Sequence, residues 1–178
     1  FGGNDRQGNP YADTWEWDGA AWSQVASSGP SPRGGHAMAY DSQRGVTVLF
    51  GGSQSGYFQD TWEWDGSSWT QVAAGGPGFR ENHAMVYDSV RCVTVLYGGY
   101  YHNGAGWLDD TWEWDGISWT QVGTSQPRPS KRNVHTMAYD SQRGVTVLYG
   151  GNVPGYTNDT WEWDLSLIHI SEPTRPID

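Results

Sequence analysis

The sequence predicts an all-β protein built from repeated four-stranded antiparallel units, and three observations carry that prediction. The phrase DTWEWDG stands at 13–19, 60–66 and 110–116, and returns as DTWEWD at 159–164. Its threonines, Thr14, Thr61, Thr111 and Thr160, lie 47, 50 and 49 residues apart, and His36, His83 and His135 keep a second phase of 47 and 52. Within each unit apolar and polar residues alternate with a period of two, and no helical period of useful length competes.

Lined up, each unit reads R-x-x-H-[AT]-M-x-Y-D-S-x-R-x-V-T-V-L-[FY]-G-G, then a variable stretch, then D-T-W-E-W-D-G-x-x-W-[ST]-Q-V. The first strand is HAMAYD at 36–41, with His36, Met38 and Tyr40 on one side and Ala37 and Ala39 on the other. DSQRG makes the hairpin that follows, its glycine free to take the left-handed conformation. Cys92 replaces that glycine in the second copy and is expected to strain the turn by ~1 kcal/mol. VTVLFGG at 46–52, β-branched and closed by two glycines, is the second strand. TWEW is the third, with Trp15 and Trp17 on one face and Thr14 and Glu16 on the other. WSQV and WTQV supply the fourth. The unequal periods come from the variable stretches, which read as loops. A four-stranded unit of this length is the blade of a β-propeller.

The diglycines Gly51-Gly52, Gly98-Gly99 and Gly150-Gly151, with the fourth-strand Trp22, Trp69 and Trp119, resemble the kelch repeat over residues 1–164. The resemblance implies a kelch-type β-propeller, whose members are mostly protein-interaction modules, with some enzymes such as galactose oxidase. Two complete blades are expected at about 33–73 and 80–123, with partial ones at about 1–25 and 132–164, forming an open arc. Residues 165–175, LSLIHISEPTR, resemble translated sequencing adapter, so 165–178 is expected to be a foreign or disordered tail on a truncated chain. An open arc exposes blade edges, and self-association through them is expected.

Composition narrows the partners. The chain has 178 residues, 12 of them Trp, and a formal net charge of −10. Nucleic acid and anionic membrane are poor partners for such a surface, which has no basic cluster. The longest apolar runs are too short to span a bilayer. The single cysteine excludes an internal disulfide framework. No phosphate loop, G-x-S-x-G or H-E-x-x-H occurs, and no catalytic residue, metal site or cofactor is assigned. The Trp- and Asn-rich, Lys-poor composition suggests an extracellular or cell-surface protein.

The repeated residues divide into framework and candidate site. Eleven of the 12 Trp fall at repeat positions and are expected to be buried between blades. Arg33, Arg80 and Arg132 precede the first strands. They pair either with the glutamates Glu16, Glu63, Glu113 and Glu162 between blades or, as the resemblance implies for some kelch domains, ring the channel mouth and take an acidic peptide. His36, His83 and His135 line the channel or are structural. The loops between second and third strands carry the ligand-binding candidates: Tyr11, Tyr57, Tyr156, and the cluster Tyr100, Tyr101, His102 and Trp107. Aromatic rings mounted on a rigid scaffold suit a protein or glycan ligand. The favoured reading is a non-catalytic binding module. The alternative is a fragment of a secreted carbohydrate-active or galactose-oxidase-like enzyme whose catalytic residues lie outside this chain.

Overall fold

Each Thr-Trp-Glu-Trp phrase becomes a strand whose two faces serve two different neighbours. A computed structural model describes residues 1–164 except 103, 105, 124, 126 and 154, and the tail expected to be foreign lies outside the described residues. An entry half-blade pairs β1 (Thr14–Trp17) with β2 (Trp22–Ala26). The first blade is a four-stranded antiparallel sheet of β3 (Ala37–Asp41), β4 (Val46–Phe50), β5 (Thr61–Trp64) and β6 (Trp69–Ala73), in that order. The second blade orders β7 (Ala84–Asp88), β8 (Val93–Tyr97), β11 (Thr111–Trp114) and β12 (Trp119–Val122). The two-stranded ribbon of β9 (Tyr100–Tyr101) and β10 (Gly106–Trp107) rises from its middle connection. The third blade has β13 (Thr136–Asp140), β14 (Val145–Val153) and β15 (Gly155–Trp163). No sheet closes on itself among the described residues.

The connections after β8 and β14 depart from the expected loops. The first folds into the β9–β10 ribbon. The second continues β14 and β15 past the diglycine, pairing Asn152 with Tyr156 and Val153 with Gly155. Aromatic and β-branched residues in both stretches suit a pleated ribbon.

Blades join head to tail. On β5 and β11 the second tryptophan points back: the Trp64 indole donates to Glu16 at 2.9 Å, and that of Trp114 to Glu63 at 3.1 Å. The fourth-strand rings do the same, Trp69 donating to Thr14 Oγ1 at 2.8 Å and Trp119 to Thr61 Oγ1 at 2.9 Å. Thr and Glu of β1 and β5 thus accept from the next blade, while the second Trp of β5 and β11, and the fourth-strand Trp paired with it, donate to the previous one. The buried core fills the same seam, with Val48, Phe50, Leu96 and Trp114 packed together between the first and second blades.

Burial of the tryptophans follows from this polarity. Trp64 and Trp114 are buried, but Trp15, Trp17 and Trp22 are exposed, against the expectation that repeat position alone buries them. Nothing among the described residues packs on the donor face of the entry half-blade.

The diglycines explain themselves by distance. Gly51 and Gly52 have φ of 66° and 92°. A Cβ on Gly51 would lie 2.8 Å from the Arg80 carbonyl of the next blade, and one on Gly52 would lie 2.8 Å from the Gly34 carbonyl of its own. Only glycine fits either place.

A backbone hoop links the inner strands. The Asn82 N–H donates to Gly35 O at 2.7 Å, and the Val134 N–H to Asn82 O at 2.9 Å. All three residues are left-handed, at φ of 63°, 54° and 56°. Glycine and asparagine tolerate that region; a β-branched valine does not. Cys92, at φ 59°, bears out the strained turn expected at its hairpin. Val134→Asn and Cys92→Gly are each expected to stabilise the protein by about 1 kcal/mol, seen as a higher urea midpoint at unchanged slope. A lower midpoint for Val134→Asn would show that the valine side chain, not the backbone, is favoured there.

Candidate functional site

The repeated arginine belongs to the framework. Arg33, Arg80 and Arg132 are 0–1% exposed, and each forms a two-pronged ion pair with the aspartate opening its own third strand. Arg80 Nη1 and Nη2 lie 2.8 Å from the two carboxylate oxygens of Asp110, and Nη1 also donates to the Gly98 carbonyl at 2.8 Å. The Trp112 indole donates to the same carboxylate at 2.6 Å. Asp60 with Arg33 and Trp62, and Asp159 with Arg132 and Trp161, repeat the arrangement. Burial alone would raise these carboxyl pKa values. The arginine bonds and charge, with the indole N–H, outweigh it and hold all three below the ordinary value.

Both sequence readings of these arginines therefore need correction. The partner is aspartate within the blade, not glutamate across the seam, and a guanidinium with its donors satisfied and its surface covered offers nothing to an acidic peptide. Glu63, Glu113 and Glu162 pair instead with the hairpin arginines: Arg44 bridges Asp41 and Glu63 at 2.7 Å each, Arg91 bridges Asp88 and Glu113, and Arg143 bridges Asp140 and Glu162. The recurrence of Asp before every TWEW was the available signal for the buried pair.

The histidines face the seams, not an open channel. His36, His83 and His135 meet Phe1, Phe50 and Tyr97 of the preceding blade edge to face, with centroids 5.6–5.7 Å apart. Burial lowers the pKa of His36 and His135 to about 4 and that of His83 well below its ordinary value. All three are neutral at physiological pH.

The loop aromatics behave differently. Just past each arginine, the chain entering the blade is clamped to the residue after the diglycine by a pair of backbone bonds. Gly34 and Ser53 exchange theirs at 2.9 Å, and Glu81 and Tyr100 at 3.0 and 2.8 Å. Loops held this way present their side chains on a stiff base. At the boundary of the first and second blades, Tyr101 stands at the centre of a ring cluster. Tyr57 meets it edge-on at 5.2 Å, and Phe79 stacks on it at 5.8 Å with planes 25° apart. Tyr100 packs edge-on against Trp107 at 5.2 Å, with its hydroxyl 3.4 Å from His102 Nδ1. Ser53 donates to Glu81 across the same boundary. A Cβ at Gly104 would strike the Tyr101 ring at 2.6 Å, so that glycine fixes how the ring sits.

Five of the loop candidates thus come together: Tyr57, Tyr100, Tyr101, His102 and Trp107. Tyr11 is half exposed on the entry half-blade, and Tyr156, 91% exposed, lies on the β14–β15 extension. No ring contact joins either to the cluster. Phe79, 40% exposed, was missed because it lies in the variable stretch before Arg80, outside the second-to-third-strand loops.

Residues 1–174 match the family described as the KLHDC2/KLHL20/DRC7 Kelch-repeats domain. The chain belongs to the kelch-repeat family. Kelch domains generally mediate protein interactions, and this chain is accordingly a kelch-propeller interaction module. No curated protein matches it. Among the described residues, the buried Arg–Asp pairs and diglycines recur in all three blades, whereas the Tyr101 cluster stands at the boundary of the first and second. No group of three or more His, Cys, Asp or Glu side chains able to hold a metal ion occurs among the described residues.

Proposed function

We propose that this kelch module is non-catalytic and captures a segment of a partner protein on the ring cluster formed by Tyr57, Phe79 and Tyr101. The observation that supports this most directly is the partly exposed Phe79–Tyr101 stack, carried on loops clamped by backbone bonds and shared between two blades. Rigid aromatic residues give large contact area at low entropic cost and dominate binding energy in interfaces. Glu81 lies close enough to raise the Tyr57 pKa, after burial, and the whole chain carries a net charge of −10. Aromatic faces beside acidic groups favour a ligand bearing arginine or lysine, through cation–π contact and long-range attraction.

The test is a selection of displayed random peptides on the immobilised chain, with a glycan panel in parallel. Enrichment of basic peptides is expected, with Tyr101→Ala weakening their binding about thirtyfold or more and leaving the urea midpoint within about 0.5 kcal/mol equivalent. Peptides that bind Tyr101→Ala unchanged, or selective binding of glycans alone, would overturn the proposal.

A further inference from the structure

The boundary that carries the Tyr101 cluster also holds a carboxylate that its counterparts lack. The residue after each buried arginine is Gly34, Glu81 or Asn133, so only the second blade places an anion there. Glu81 is half-buried, and its backbone N–H and carbonyl are both bonded to Tyr100, which fixes the root of the side chain. Ser53 Oγ donates to Glu81 Oε2 across the boundary. No arginine or lysine pairs with Glu81 among the described residues, whereas Glu63, Glu113 and Glu162 each answer a hairpin arginine. The adjacent guanidinium of Arg80 is committed to Asp110. Phe79 and Glu81 flank Arg80, whose side chain turns into the blade, so both neighbours are left on the outer side. Ser53 is bridged in turn to Tyr57, whose ring meets Tyr101. A carboxylate without a cation thus stands beside the partly exposed Phe79–Tyr101 stack.

Within the first blade the same combination of ring and carboxylate already holds a guanidinium. The Arg33 guanidinium carbon lies 3.9 Å over the Phe58 ring, while its two Nη atoms meet the Asp60 carboxylate at 2.7 and 3.0 Å. We infer that the Tyr101 cluster takes an arginine side chain of the partner segment, its guanidinium stacked on the Phe79–Tyr101 rings and paired with Glu81. Ser53 is a positioning residue that aims the carboxylate. This inference rests on the proposed function and narrows its ligand from a basic side chain to arginine. A guanidinium is flat and weakly hydrated, so it stacks on a ring while its N–H fork, in the same plane, meets a carboxylate edge-on. An ammonium is a compact, strongly hydrated point charge that gains less from the ring face and has no fork. The net charge of −10 attracts either cation from a distance, so contact geometry makes the choice.

The experiment pans two pools of displayed peptides on the immobilised full-length chain. The pools share positions randomised over uncharged residues and differ in one fixed central residue, arginine or lysine. Recovery of the arginine pool is expected to exceed that of the lysine pool by about tenfold. Glu81→Gln, which keeps the shape of the side chain, should bring the ratio within about twofold, and Ser53→Ala should lower it roughly threefold. Asp18→Asn removes the same charge at the opposite, hairpin end and should leave the ratio unchanged. Urea midpoints confirm that each variant folds. Equal recovery of the two pools, both lost on Tyr101→Ala, would overturn the arginine assignment and leave the ring cluster standing as the binding site. A preference for arginine that survives Glu81→Gln would also overturn it, by taking the carboxylate out of the site. Recovery that neither Glu81→Gln nor Tyr101→Ala alters, or recovery of neither pool, would overturn this inference and the proposed function together.

Discussion

Asp110→Ala is expected to destabilise the protein by about 3–5 kcal/mol. Asp110 is not itself deeply buried, and the loss comes from what it leaves behind: Arg80, 1% exposed, would keep a full positive charge with only backbone carbonyls for company. Uncompensated buried charge is among the few single changes that remove most of a domain's margin. Arg143→Ala is the contrasting case. Its guanidinium also touches two carboxylates, Asp140 and Glu162, but it is exposed and screened by water, so its removal should cost far less. Urea midpoints of the two variants decide the matter, and equal losses would show that the buried pair has no special weight.

The same pairs set the acid limit. Asp60, Asp110 and Asp159 titrate lower folded than unfolded, so their stabilisation is complete at neutral pH. It begins to fade below the unfolded value near 4 and is lost as pH falls through the folded values. Unfolding free energy should therefore fall steeply with acid below about pH 4, and Asp110→Ala should flatten part of that slope. The buried histidines add to the effect. Their folded pKa values near 4 lie below the unfolded value of about 6.5, so the unfolded chain takes up protons first and stability already declines between those limits.

Trp114→Ala and Trp17→Ala alter the same repeat position and should differ several-fold in cost. Trp114 is 2% exposed, lies in the core of the seam and donates to Glu63, so its truncation should cost about 3–5 kcal/mol. Trp17 is 52% exposed and touches chiefly Trp22, at 5.7 Å, so its loss should cost under about 1 kcal/mol. If the two variants proved equally unstable, the donor face of the entry half-blade would have to be covered in solution. Sedimentation of the unaltered chain would then report the covering partner if it is a second copy.

Much of the framework was legible in the sequence because repetition amplifies weak signals. One TWEW is ambiguous; four at near-constant spacing, each with a diglycine before it and the first three with a tryptophan after, specify strands, register and family. Partners across space were harder. Arg80 and Asp110 are 30 residues apart, and nothing local distinguishes Asp110 from Glu113 as the arginine's mate; only the closed fork between Gly98 O and the Trp112 indole does so. The exposure of Trp15, Trp17 and Trp22 depends on which neighbour a face meets, and that neighbour is not encoded in the strand itself. The loop candidates were found by type, but their grouping was not: Tyr57 and Tyr101 meet because two blades abut, and Phe79 joins them from a connection that follows no repeat pattern.

The alternation of donor and acceptor faces on each third strand bears on how such a chain could arise. A surface that matches its own copy pairs off in twos and gains nothing from a third unit. Here the two sides of a unit differ, indoles on one and Thr and Glu on the other, so a tandem duplication of one gene segment would supply plug and socket together. Each added copy would fit the last without further mutation, whereas a change at Glu63 would disturb both its own hairpin arginine, Arg44, and the next blade's Trp114. Easy multiplication and costly drift leave a phrase repeated almost letter for letter.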